Sequence, residues 1–92
     1  MALTVQYTAQ LKAVLGTAEE TLDTSNDITG REFIDLLVEK HGDNFKSYAL
    51  GEDGHLNPSL ICCLDDQQID LVDETNLPAG SIVTLLSAIS GG

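Results

Sequence analysis

The chain has 92 residues, 42% of them apolar, and a formal net charge of −11 from 15 acids against four Lys and Arg. That length supports one domain, and that apolar fraction argues against disorder. The four cations, Lys12, Arg31, Lys40 and Lys46, form no basic patch, which excludes nucleic acid as a main partner and favours basic protein partners, with plain solubility as the simpler reading of the charge.

Leu3, Val5 and Tyr7 alternate with Thr4, Gln6 and Thr8, the period of two of a half-buried strand. Gln10 to Gly16 reads as a connection with one apolar turn (Leu11, Val14, Leu15). Thr17 to Thr24 reads as a second, more exposed strand that closes an opening hairpin. Thr29-Gly30-Arg31-Glu32 has the form of a capping box, in which the first and last residues satisfy each other's N–H groups. Phe33, Leu36 and Leu37 follow at helical spacing, widened by Ile34 and Val38, and Lys40 can lay its stem along the edge of the stripe. Gly42 is the expected stop, with His41 complementing the dipole of the last turn.

Asp43 to Pro58 reads as a connection with a single helical turn around Phe45, Tyr48 and Leu50, followed by turn chemistry at Gly51-Glu52-Asp53-Gly54. Leu60 to Leu64 is a short apolar run, the pattern of a central strand buried on both faces. Asp65-Asp66 turns the chain into a brief return strand, Gln67 to Ile69, and Asn76 to Gly80 is a turn. The last strand is Ser81 to Leu86, with Val83 and Leu85 on one face and Ile82, Thr84 and Leu86 on the other. Residues 87–92 have no period and read as an extended, flexible tail that ends in Gly91-Gly92.

The first and last strands are separated by a helix, so they cannot be hairpin neighbours. They can lie side by side in the middle of one mixed sheet with the helix across one face. This is the β-grasp architecture, class α+β, with a body over 1–86 and a tail over 87–92. Glycine has no Cβ, so a Gly-Gly tail fits a narrow channel and leaves a terminal carboxylate accessible to another enzyme. A chance pair of glycines is the plain alternative.

Other chemistry is thin. Cys62 and Cys63 are neighbours on a strand, point to opposite faces and are poorly placed to bridge each other; reduced thiols packed in a core fit a cytoplasmic protein. The acids Asp65, Asp66, Asp70, Asp73 and Glu74 lack the spacing of a calcium loop, so no metal is expected. Two adjacent cysteines cannot ligate an iron–sulfur cluster. No Ser-His-Asp set or phosphate-binding Gly loop is present. No apolar run is long enough to span a membrane, and no signal peptide is expected.

Taken in order, the pieces resemble a family. Tyr7-Thr8-Ala9-Gln10-Leu11-Lys12 with Leu15-Gly16, the Thr29 helix with its Leu36-Leu37 pair, the strand Leu60-Ile61-Cys62-Cys63-Leu64 with its acidic turn, and Leu77-Pro78-Ala79-Gly80-Ser81-Ile82-Val83 with Leu86 and Gly91-Gly92 are similar to segments of the ubiquitin-like sulfur carriers. These are the MoaD/ThiS type, which includes the small subunit of molybdopterin synthase and the thiamine- and cysteine-pathway carriers. The Pro-Pro that usually precedes the family's ending is absent here, where Ser87 and Ala88 precede Ile89 and Ser90. Lys12 stands where an arginine is usual.

The resemblance implies a protein cosubstrate rather than an enzyme, with no bound cofactor. An adenylating enzyme of the ubiquitin-activating type would use ATP to activate the Gly92 carboxylate. A sulfur donor would convert it to a thiocarboxylate, and a client enzyme would receive the sulfur. Molybdopterin, thiazole, cysteine, thiolated tRNA and natural-product routes all remain open as the destination. Lys12 corresponds to the family's basic residue that pairs with an acid on the activating enzyme; a solvated lysine is the simpler alternative. Ile82, Thr84 and Leu86, with the tail residues Ser87, Ala88, Ile89, Ser90 and Gly91, are the expected partner contacts. Six extended residues reach at most ~20 Å. The alternatives are a ubiquitin-like modifier joined through Gly92 to lysines of other proteins, and a plain β-grasp binding module.

Overall fold

The computed structural model describes residues 2–87. Its elements are β1 (Ala2–Tyr7), α1 (Ala9–Leu15), β2 (Glu19–Asp23), β3 (Ile28–Thr29), α2 (Gly30–His41), α3 (Asp43–Ala49), β4 (Leu60–Leu64), β5 (Gln67–Ile69), β6 (Asn76–Leu77) and β7 (Ile82–Ser87). β1 and β7 lie side by side and parallel, with Val5 opposite Val83 and Tyr7 opposite Leu85. They form the middle of a five-stranded mixed sheet in the order β2-β1-β7-β4-β5. β3 and β6 make a separate two-stranded ribbon. The expected β-grasp arrangement is present.

The alternation of β1 and β7 decides which side of the sheet is covered. Leu3, Val5, Val83 and Leu85 are fully buried and pack in one cluster with Leu11 of α1, Phe33, Ile34 and Leu37 of α2, and Phe45 and Ala49 of α3. The capping box forms as expected: Glu32 N–H donates to Thr29 Oγ1 at 3.1 Å, and Thr29 N–H donates to Glu32 Oε1 at 2.9 Å. The glycine inside it has its own reason. Gly30 N–H donates to the Thr75 carbonyl at 2.8 Å, and a Cβ on Gly30 would lie 2.0 Å from the Val72 carbonyl oxygen. Only a residue without a side chain lets the start of α2 rest against the 72–75 segment.

Several expectations need correction. Gln10 to Gly16 is not a simple connection: Ala9–Leu15 is a helix, closed by Gly16 at φ 75°. Its apolar triplet, Leu11, Val14 and Leu15, has helical spacing, but the segment is too short for periodicity to stand out. Asp43–Ala49 is likewise a full short helix rather than one turn, with Phe45 and Ala49 four apart and both buried. The fold therefore sets three helices, not one, beside the sheet among the described residues.

β4 is an interior strand, between β7 and the edge strand β5, but it is not buried on both faces: within it only Cys62 is buried. Its apolar run reflects an apolar outer face rather than burial on both sides. Asn76-Leu77, within the expected turn, pairs with Ile28-Thr29; two-residue strands carry no readable period. β7 includes Ser87, which pairs with Leu60, so the strand takes in one residue of the expected tail. Ala88, Ile89, Ser90, Gly91 and Gly92 lie outside the described residues.

Candidate functional site

β7 is the element that leads to the tail, so its outward side chains define the surface at the tail's root. Val83 and Leu85 point into the core, whereas Ile82 is 39% exposed and Thr84 and Leu86 are half-buried on the opposite face. Strand register sets their neighbours on that face. Thr4 flanks Ile82, Gln6 and Cys63 flank Thr84, and Ile61 lies opposite Leu86. The result is an apolar strip of Ile61, Cys63, Ile82 and Leu86 on the side of the sheet away from the helices.

A hydrogen-bonded row borders this strip. Thr84 Oγ1 donates to Gln6 Oε1 at 3.2 Å, and Gln6 Nε2 donates to Glu19 Oε1 at 3.0 Å. Asp65 closes the other end, accepting the Ile82 N–H at 3.1 Å through Oδ1. A partly exposed apolar strip with a polar, acidic border has the anatomy of a protein contact surface.

Lys12 lies on α1 and is exposed, with no ion pair among the described residues. β1 and β7 run parallel and α1 starts where β1 stops. Thr8, just before α1, donates through Oγ1 to the Leu85 carbonyl at 3.4 Å. Lys12 therefore belongs to the end of the sheet from which β7 leads into the tail. Small residues surround it: Ala9, Ala13, Gly16 and Ala18 line a shallow hollow beside its side chain. A partner's carboxylate meets little steric obstruction there.

The cysteines divide as the strand pattern requires. Cys62 is 3% exposed, and burial, together with neighbouring Cys63, pushes its thiol up to about 12. It is core at neutral pH. Cys63 faces the open side, opposite Thr84. Both thiols are free.

One cluster escaped the sequence reading. Glu20 sits on the covered side of β2, with a side chain only 10% exposed. It accepts a short hydrogen bond from the Tyr7 hydroxyl. His41 Nε2 lies 2.6 Å from its Oε2, and Lys40 Nζ lies 2.9 Å from its Oε1. Burial raises the carboxyl pKa, but the hydrogen bonds from Tyr7, His41 and Lys40 outweigh it and hold Glu20 below the usual carboxylate range. Burial and the adjacent Glu20 push the Tyr7 phenol well up. His41 thus pins the end of α2 to β2 rather than merely facing the helix dipole. No local motif announces this, because the four residues come from three separate elements, β1, β2 and the end of α2.

Among the described residues no group of three His, Cys, Asp or Glu is placed to hold a metal ion, and no helix is long and apolar enough to cross a membrane. No protein-family model matches the sequence, and no curated protein matches it. Solved structures do. SAMP1 from Haloferax volcanii superposes with a TM-score of 0.82 at 26% identity, over 100% of both chains. The BexX/CysO complex of Amycolatopsis orientalis contains a chain that matches with a TM-score of 0.74 at 24% identity, over 99% of this chain and 100% of that one. Urm1 from Trypanosoma brucei matches with a TM-score of 0.76 at 18% identity, over 99% of this chain and 95% of that one. The likeness read from the sequence extends to the whole fold: the chain has the ubiquitin-like β-grasp fold and is similar in structure to these small ubiquitin-like proteins.

Proposed function

We propose that this chain is a sulfur carrier whose reactive group is the carboxylate of Gly92, and that it serves as a protein cosubstrate rather than an enzyme. The observation that carries the reading is the placement of Ile82, Thr84 and Leu86 on an open, partly apolar sheet face along the strand that leads to Gly91-Gly92. The body docks, and the tail reaches into the partner.

A carboxylate is a poor electrophile until one oxygen becomes a good leaving group. A Gly92 oxygen attacks the α-phosphorus of ATP on an adenylating enzyme, pyrophosphate leaves, and an acyl-adenylate forms. With hydrosulfide as sulfur donor, sulfur attacks the acyl carbon, AMP departs with the C–O bonding pair, and loss of a proton leaves the thiocarboxylate. Like a thiolate, this anion is the nucleophilic form. It delivers sulfur inside a client enzyme that Leu86, Ile82 and Thr84 help to dock, with Ser87, Ala88, Ile89 and Ser90 lining the entry. Lys12 offers an accessible cation to an acid of the activating enzyme. ATP is held by that enzyme, not by this chain. The CysO chain in the BexX/CysO complex gives precedent for a β-grasp chain of this shape bound to a partner.

The test is intact mass after incubation with an adenylating enzyme, ATP and sulfide. The expected product shows the mass gain of one oxygen replaced by sulfur, confined to the C-terminal peptide. Gly92→Ala, or one residue added after Gly92, abolishes the gain and leaves thermal unfolding unchanged. Full thiocarboxylate yield from either variant would falsify the reading.

A second reading has its own support. The small archaeal modifier protein 1 of H. volcanii shares this fold over nearly the whole chain. As a modifier, the same activated Gly92 would be attacked by a lysine amine of another protein. Recovery from its own cell of lysine adducts bearing Gly-Gly remnants, with no thiocarboxylate, favours the modifier.

A further inference from the structure

We propose that the open edge of β2, with the groove between β2 and α2, is a second docking site, for an extended segment of a partner protein that carries Lys or Arg beside an apolar side chain. It lies at the far edge of the sheet from β5 and does not depend on the tail.

The backbone makes the first argument. Among the described residues β2 pairs only with β1, so its other side is a free edge. Tyr7 N–H donates to the Ala18 carbonyl at 2.8 Å, and the register continues with Val5 opposite Glu20 and Leu3 opposite Leu22. Ala18, Glu20 and Leu22 therefore turn their backbone groups to β1, and Glu19, Thr21 and Asp23 turn theirs outward. Thr17 Oγ1 occupies those of Glu19. The outward groups of Thr21 and Asp23 have no partner among the described residues. An added strand satisfies them.

The side chains supply the second. Two adjoining hollows run along this edge and share Leu36; Leu22 joins it in one, and Ile28 in the other. Thr24 lines the second hollow, is only 7% exposed, and its Oγ1 lacks any hydrogen-bond partner among the described residues. Thr24, just past the end of β2, lines the same hollow as Glu32 and Leu36 of α2. Rotation of that side chain toward a strand laid along the edge would give the buried hydroxyl a carbonyl acceptor.

Charge selects the occupant. Asp23, Asp27, Glu32 and Glu39 line the two hollows. The one cation there, Lys40, is committed to Glu20 at 2.9 Å. A second copy of this chain, with net charge −11, would bring the same acidic edge against itself and is disfavoured. A basic strand is attracted, and its apolar side chain covers Leu22 and Leu36.

The probe is a short synthetic peptide alternating Lys and Val, titrated at physiological ionic strength and followed by backbone amide NMR and fluorescence anisotropy. Shifts are expected at Thr21 and Asp23 and along α2 near Leu36. The same peptide N-methylated at alternate amides keeps every charge but cannot pair with the edge, and should bind about tenfold more weakly. Glu39→Lys should cost about tenfold through charge reversal. Thr21→Pro, a residue that free edges tolerate, should cost a similar factor, with folding read from the same spectra. Equal affinity for the methylated peptide, an unchanged affinity in Glu39→Lys, or shifts centred on Thr84 and Leu86 would each overturn the proposal.

Discussion

The two sides of the five-stranded sheet obey different rules, and β7 shows both within one strand. Toward the helices, Val83 and Leu85 are fully buried in a single cluster. Away from them, Ile82, Thr84 and Leu86 keep contact with water, beside Ile61 and Cys63. Stability depends on the covered side. In the proposed function recognition falls to the open side, where an apolar residue contributes little to folding because its burial is incomplete until a partner arrives. A carrier needs this division, since its docking surface must be available in the free protein.

The largest expected effect breaks the covered side. Leu85→Ala should cost about 3 kcal/mol in denaturant unfolding, from lost transfer free energy plus a cavity in the core beside Tyr7 and Cys62, its neighbours across the sheet. Leu86→Ala, its neighbour on the opposite face, should cost under about 1 kcal/mol but lower client transfer about tenfold through a weakened contact. Equal stability losses in the two variants would erase the distinction between the faces.

A smaller effect tests the charged group on the covered side. The Glu20 carboxylate is held below the ordinary range, so its contribution is complete above the pKa of an unfolded glutamate and is lost as pH falls through the lower folded value. Wild-type stability should therefore decline on acidification through that window. Glu20→Gln should remove this part of the decline. At neutral pH it should cost about 1–2 kcal/mol, the scale of a buried hydrogen bond to a charged group. The Lys40 ammonium is half-exposed and adds little to that. Urea unfolding of both proteins across the acid range separates the outcomes. Parallel pH profiles would show that the Tyr7–Glu20–His41 contacts carry no linkage.

How much of this was legible follows from the range of each signal. The strands β1 and β7, the capping box at Thr29 and Glu32, and the inward Val83 and Leu85 depend on neighbours within a few residues, and they read correctly. The chemistry assigned to Gly91-Gly92 also comes from sequence, and those residues lie outside the described part of the chain. The helix at Ala9–Leu15 was missed because seven residues span too few turns to establish a period. β4 is an interior strand as its run suggests, but its burial on both faces does not hold, because an apolar run looks the same whether both faces meet the core or one stays open. The Glu20 cluster and the β2 groove join residues far apart in sequence, and only the strand register and helix packing bring them together.

The adjacent cysteines give the finest probe of the two faces, because they differ in little besides direction. Cys62 points into the core opposite Leu85, with its thiol pushed up to about 12 by burial, while Cys63 points to the open face opposite Thr84. Alkylation requires both access and the thiolate. At neutral pH a small alkylating reagent should modify Cys63 in the native protein, and Cys62 only as fast as the domain unfolds, so denaturant should accelerate Cys62 far more than Cys63. A client docked on the open face should slow Cys63 and leave Cys62 at its unfolding-limited rate. Peptide mass analysis over time distinguishes the two sites. Native-state modification of Cys62 at the rate of Cys63 would mean that the covered side opens locally beneath β4, and the division between a packed face and a docking face would fail at that strand.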